Sequence, residues 1–227
     1  MQRYVLYALG EILLVVLGIL IALQINNWNQ SRIDASKEKV YLVNLRKEIT
    51  ANLSFNQALI LDRLDAKIEG LQLAKDISEN GFQVVDTLEA LNKISYGGVF
   101  SGGFSLGVRN YYDELLSTGN LQLIKNDSLK NVVANYYTRI EYYANRVKSR
   151  ASQYANIIDG LRPFMQENPS YISKYDQMEM IEAFKTDDFS RMVDAELSYA
   201  DAISDFVNAL SIRAEKISAL IDKELEH

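Results

Sequence analysis

Residues 4–25 read YVLYALGEILLVVLGILIALQI, an apolar run interrupted by one carboxylate, Glu11. Its 22 residues make a helix of about 33 Å, enough to cross a hydrocarbon core of about 30 Å. Fourteen Leu, Ile and Val at roughly −0.3 to −0.6 kcal/mol each outweigh a carboxylate costing at most about 3 kcal/mol. Tyr4 and Tyr7 stand at one edge and Trp28 at the other, as aromatic interface anchors do. A cleaved secretory signal is the rival reading. The run is long for one, only Arg3 precedes it as a basic side chain, and Gln24, Asn26, Asn27 and Trp28 follow it instead of a small-x-small cleavage site. The expectation is a retained transmembrane anchor over residues 1–30 and a water-soluble domain over residues 31–227.

Within the run, Tyr4, Ala8, Glu11, Val15, Gly18 and Ala22 recur at spacings of three and four and share one helix face. Gly18 and Ala22 form a small-xxx-small pair, which lets a second helix approach closely. Ala8, Glu11, Val15, Gly18 and Ala22 are therefore the candidate membrane-helix contact face. A carboxyl at Glu11 protonates, bonds to a neighbour or reaches for the headgroups.

Beyond a polar juncture at residues 29–36, Leu42, Leu45, Ile49, Leu53, Ile60, Leu64, Ile68, Leu71 and Ala74 mark a stripe with a period near 3.6. This predicts a long amphipathic helix, continuous with the anchor, that stops at Asn80-Gly81. Asp86 or Thr87 caps a short helix through Leu88, Leu91 and Ile94, and a second short helix spans residues 108–118, closed by Gly119. Asn126 or Asp127 opens a long helix whose stripe runs Leu129, Val132, Tyr136, Ile140, Tyr143, Val147, Ala151, Tyr154, Ile158 and Leu161, ended by Pro163. A loop around Pro169 and a short helix over residues 176–184 follow. Thr186 to Asp188 then cap a last long helix from Phe189 to Leu225. The predicted fold is all-α: an amino-terminal transmembrane helix, then an antiparallel bundle of about three long helices and several short ones.

Between the short helices, residues 96–107 read YGGVFSGGFSLG. No Gly-Lys-Ser/Thr follows and no strand precedes, so this is not a phosphate-binding loop of the nucleotide type. Its reading is a connector whose aromatics tuck into the bundle, with Gly97, Gly98, Phe100, Gly102, Gly103 and Phe104 as the candidate loop site if a ligand binds there. The tyrosine doublets at 111–112, 136–137 and 142–143 each place one ring in the core and one hydroxyl at a wet rim.

The chain has no Cys and one His, at position 227, where Leu225-Glu226-His227 resembles the start of an expression tag. Thiolate metal sites, histidine acid–base catalysis and Glu-x-x-His di-iron bundles are excluded. Asp62, Asp65 and Glu69 share a helix face with Arg63 and Lys67 among them, which reads as a solvated charged face. No catalytic, cofactor-binding or metal site is expected. A net charge of −6 disfavours nucleic acid as a partner.

Two passages, residues 7–29 (YALGEILLVVLGILIALQINNWN) and 112–137 (YDELLSTGNLQLIKNDSLKNVVANYY), resemble the recurrent blocks of a family of uncharacterised bacterial membrane proteins classed as a domain of unknown function. The resemblance implies one amino-terminal span and a helical domain. It carries Glu11, Asn26, Asn27 and Trp28 in the first block and Tyr112, Leu115, Gly119, Leu121, Ile124 and Leu129 in the second. It also implies a domain in the periplasm. Arg32, Lys37, Lys39, Arg46 and Lys47 after the span vote weakly for the cytoplasm. The expected location is the bacterial inner membrane with a periplasmic domain.

The expected function is a non-enzymatic scaffold or accessory subunit working by helix–helix contacts, with the lipid bilayer and either further copies of itself or another membrane protein as partners. The alternatives are a membrane-anchored sensor using the glycine-rich loop, or a subunit of an ion-driven complex with Glu11 as the titrating group.

Overall fold

The computed structural model describes residues 2–84, 86–148, 150–161 and 173–226, with the side chains of residues 2–8 and 161 outside that description. The fold is all-α. Helix α1 (Gln2–Phe55) passes through one π-helical turn (Asn56–Leu61) into α2 (Asp62–Asn80) without a break. The anchor candidate and the first bundle helix are thus one rod. From Leu9 to Ile33 every side chain is exposed, and burial begins at Glu38.

The π-helical turn has a legible cause. Buried positions along the rod are 38, 42, 45, 49 and 52, then 56, 60 and 64, then 67, 70, 71, 74 and 77. Spacings of three and four alternate until Asn52. Three successive fours then carry the pattern to Leu64, about one residue more than three α-helical turns hold. The wider turn takes up that residue, so both halves of the rod keep their inner face on the bundle. Leu53 and Ile68, placed on the predicted stripe, sit at its half-buried edge.

Gly81, at φ 83°, ends the rod, and its N–H donates to the Ile77 carbonyl at 2.9 Å. Helix α3 (Thr87–Tyr96) is capped by Asp86, whose carboxylate accepts from Glu89 N–H at 3.0 Å. The loop then leads to α4 (Asn110–Ser117), and Gly119 at φ 71° turns the chain into a single 3-10 turn. Asn126 caps α5 (Asp127–Lys148), accepting from Leu129 N–H at 3.0 Å. Helix α6 (Gln153–Leu161) follows, then α7 (Lys174–Phe184) and α8 (Asp187–Leu225), capped by Ser173 and Thr186.

The rod runs antiparallel to α8, tied by Arg46–Asp222 at one end and Lys75–Asp194, 2.7 Å, at the other. Helix α5 also lies antiparallel to α8, with Asn126 bonded to Glu224 and Arg150 to Glu196. Rod, α5 and α8 are the three long members of the bundle.

One prediction fails in an informative way. The helix expected from residue 127 through Leu161 is two helices, and Ala151, assigned to its apolar stripe, is exposed. Ser152 begins the second one by accepting from Ala155 N–H at 3.0 Å. The chain gives up helical continuity there because Arg150 and Ser152 both turn onto a buried carboxylate. The tyrosine rule also bends: Tyr136 and Tyr137 are both buried, whereas Tyr112 and Tyr143 enter, Tyr111 is half-buried at the core's edge and Tyr142 stays outside. Pro163, Pro169 and His227 lie outside the described residues.

If the π-helical turn absorbs a surplus residue, deleting exposed Ala58 leaves a continuous α-helix with both faces in phase. Deleting exposed Gln72 rotates the lower half of α2 by about 100° relative to its core. Thermal unfolding followed by circular dichroism should show a small change for the first deletion and loss of the cooperative transition for the second.

Candidate functional site

Two apolar cores occupy the bundle. One gathers Leu42, Ile49, Leu64, Tyr136, Tyr137 and Leu210, the other Leu71, Leu91, Tyr154, Phe184 and Phe189. Between them lies a layer of charge. Lys67 on α2, 0 % exposed, donates to the Gly97 carbonyl at 2.5 Å, Ser101 Oγ at 3.0 Å and Glu196 Oε1 at 2.6 Å. Glu196 on α8 also accepts from Ser101 Oγ, from Ser152 Oγ at 2.7 Å and from Arg150 Nη1 at 2.7 Å. The Arg150 guanidinium rests 3.9 Å from the centre of the Tyr199 ring. All three ammonium protons have acceptors, and each carboxylate oxygen accepts two hydrogen bonds.

This contradicts the reading of Lys67 as part of a solvated face. The long apolar stem and the three waiting acceptors make burial of the amine sustainable. Burial pulls the Lys67 ammonium below its usual range, against the opposing attraction of Glu196. For Glu196, burial alone would raise the carboxyl. The Lys67 charge and the hydrogen bonds from Lys67, Ser101 and Ser152 outweigh it and hold the group below its usual range.

The layer holds the glycine-rich stretch. Gly97 and Ser101 are bound directly, and Tyr154 OH, donating to Ile94 O at 2.6 Å, closes the space beside Gly97. Helix α3 reaches α2 at Gly70, where an added Cβ would stand 2.0 Å from the Lys93 carbonyl oxygen. Phe100 and Phe104 pack against the first core with ring centres 4.5 Å apart, as the sequence suggested. Gly98 and Gly103 are half-buried and Gly102 faces open space. Of the candidate loop residues Gly97 touches the ion pair, and with Ser101 it clasps the stretch onto Lys67, while Phe100 and Phe104 serve the neighbouring core.

The sequence missed a second set of polar contacts, on α1. Glu38 accepts from Lys125 N–H at 2.6 Å. Glu48 accepts from Tyr111 N–H at 2.7 Å and from Tyr137 OH at 2.7 Å, capping α4. The Asn52 amide pairs twice with the Val108 backbone, 2.8 Å each way. Burial pushes Tyr136, against the same face, up to about 12. The signal was present: Glu38, Asn52 and Asn56 fall in phase with the apolar stripe.

On the exposed part of α1, Glu11, Val15, Gly18 and Ala22 share a face, and a Cβ added at Gly18 would meet nothing within 4 Å. Trp28 is exposed, with the Arg32 guanidinium 5.7 Å from its ring centre. The side chains of Tyr4, Tyr7 and Ala8 lie outside the described residues. Among those described, no cluster of His, Asp or Glu suits a metal ion.

The sequence profile of one protein family, described as a family of unknown function, matches residues 11–157, more than half of the chain. The chain belongs to this family, DUF6090. The DUF6090 match covers the exposed apolar helix from Glu11 onward, the α1 polar contacts and Lys67, Ser101, Arg150 and Ser152, while Glu196 lies beyond it. Neither a curated protein nor a solved structure matches the chain.

Glu196→Gln leaves Lys67 buried without its counter-charge and should lower unfolding free energy at pH 7 by about 3–5 kcal/mol. The stability Glu196 contributes is complete above the unfolded carboxyl value of 4.5 and is lost as pH falls through its lower folded value. The gap between parent and variant in urea unfolding should therefore narrow below pH 4.5. A gap constant down to acid pH would contradict this account.

Proposed function

We propose that this protein is anchored in the bacterial inner membrane by residues 4–28 and serves as a non-enzymatic scaffold or accessory subunit. One observation carries the reading: a helix long and apolar enough to cross a membrane, entirely uncovered, runs unbroken into the bundle. Its apolar window has a mean hydropathy of 2.2 and is 0 % buried. Exposed apolar patches beyond a few hundred Å² mark surfaces that something else covers. A bilayer suits a continuous cylinder of Leu, Ile and Val. The helix also continues through Gln24, Asn26 and Asn27, which supports a retained anchor over a cleaved signal.

The contact face of Glu11, Val15, Gly18 and Ala22 is suited to a second membrane helix, from another copy or another protein. Resemblance to bacterial members of the family supports a periplasmic position for the bundle. The rod then acts as an arm of fixed length that holds the bundle at a set distance from the membrane.

A second reading, a sensor signalling along the rod, is favoured by the clasp. The glycine-rich stretch and α2 share Lys67, so a ligand moving the loop would act on the rod directly.

Native mass after mild detergent extraction, with mass spectrometry of what co-purifies, tests the first reading. A defined homo-oligomer or a foreign membrane protein in fixed ratio is expected. Gly18→Ile should weaken that assembly about tenfold, the equivalent of 1–2 kcal/mol of helix packing. An unchanged assembly in the variant would sink the proposal.

A further inference from the structure

We infer that the cleft between α5 and α8 is a binding site for a small, multiply charged anion bearing phosphate groups. The cleft encloses about 370 Å³, within the range of small-molecule sites. Arg139 enters it from α5, and Arg213 and Lys216 from α8. Asn135 stands at its edge, and Val132 and Ile217 give it an apolar wall.

These cations are unlike the others on the bundle surface. Lys93, Arg109, Lys130, Lys185 and Arg191 each pair with a carboxylate three or four residues away. Arg139, Arg213 and Lys216 have no acidic residue at any of those positions. Their neighbours there are apolar, aromatic, amide or each other. The adjacent carboxylate, Glu215, is turned toward the rod, where it accepts from Gln57 Nε2 at 3.4 Å. Asp222 and Glu224 are engaged by Arg46 and Asn126. Arg213 gives one N–H to the Ala209 carbonyl at 2.8 Å, and its other donors remain. Among the described residues Arg139 and Lys216 have no partner.

In a chain of net charge −6, three positive side chains line this cleft and no carboxylate is among its lining residues. Mutual repulsion makes that arrangement unfavourable by itself and attractive to an anion of charge −2 or more. Two guanidinium forks and an ammonium suit phosphate oxygens, with the forks binding in pairs and the lysine as a point charge. A free anion fits better than a lipid headgroup. Gln57, level with the cleft, stands 29 residues beyond Trp28, or roughly 44 Å along the helix.

The probe is pyrophosphate, added to the full chain in mild detergent and compared with sodium chloride at equal ionic strength. Thermal unfolding should rise saturably, by about 5 °C or more at a hundredfold excess over Kd. Arg139→Gln/Lys216→Gln removes two side chains that have no bonding partner among the described residues. Its Tm without the anion should equal or exceed the parent's, and its pyrophosphate shift should disappear. Equal shifts in parent and variant, or no shift beyond that of chloride, would overturn the assignment. So would stabilisation by phosphatidylglycerol nanodiscs in the absence of any pyrophosphate response.

Discussion

Lys67 and Glu196 meet 2.6 Å apart in the middle of the bundle, shut off from water on every side, and most of the distal architecture is arranged to make that tolerable. An isolated buried ion is expensive, so each charge needs its remaining hydrogen-bonding capacity met. Gly97 and Ser101 meet the needs of the ammonium, and Ser101, Ser152 and Arg150 those of the carboxylate. These partners come from α2, the glycine-rich stretch, the α5–α6 junction and α8. An apolar pair at the same place could slip by a helical turn and still be buried. The charge pair has a single register, and it fixes four segments at once.

The helix break at residues 150–152 follows from the same constraint. A continuous helix from Asp127 would carry Arg150 and Ser152 on different sides, since residues two apart do not share a face. Interrupting the helix lets both reach Glu196, and Ser152 compensates locally by capping α6. The loop at 97–107 likewise takes its shape from what it contacts. Its backbone and serine serve Lys67, and its two phenylalanines serve the neighbouring core.

Periodicity made the rod, α8, the caps at Asp86, Asn126 and Thr186, and the stop at Gly81 readable, because each depends on residues close together in sequence. Lys67 was not readable in that way. Flanked by Asp65 and Glu69, it has the local character of a solvated face, and its burial depends on Glu196, 129 positions away. The same limit hid the helix break, where Ala151 continues the apolar stripe and no Gly or Pro marks an interruption. Polar residues in phase with an apolar stripe were the overlooked clue. Glu38, Asn52 and Asn56 lie on the inner face of the rod as regularly as Leu42 and Ile49 do. Two of them hold backbone that has no helix of its own to satisfy it.

The rod joins these features to the exposed apolar helix. Lys67 lies 39 residues beyond Trp28, roughly 58 Å of helix, with one π-helical turn and no Gly or Pro between them. That turn packs Asn56 and Ile60 against the bundle and keeps the inner face aligned on both sides of itself, so it serves register and gives no hinge. A helix of this kind bends little and does not shorten. A change of tilt or rotation at one end therefore reaches the other as the same rigid movement. The polar contacts of Glu38, Glu48 and Asn52 bind the loop and α4–α5 segments to the first bundle half of the rod, and Lys67 binds the rest to the second. Any partner that grips the exposed helix consequently grips the whole bundle.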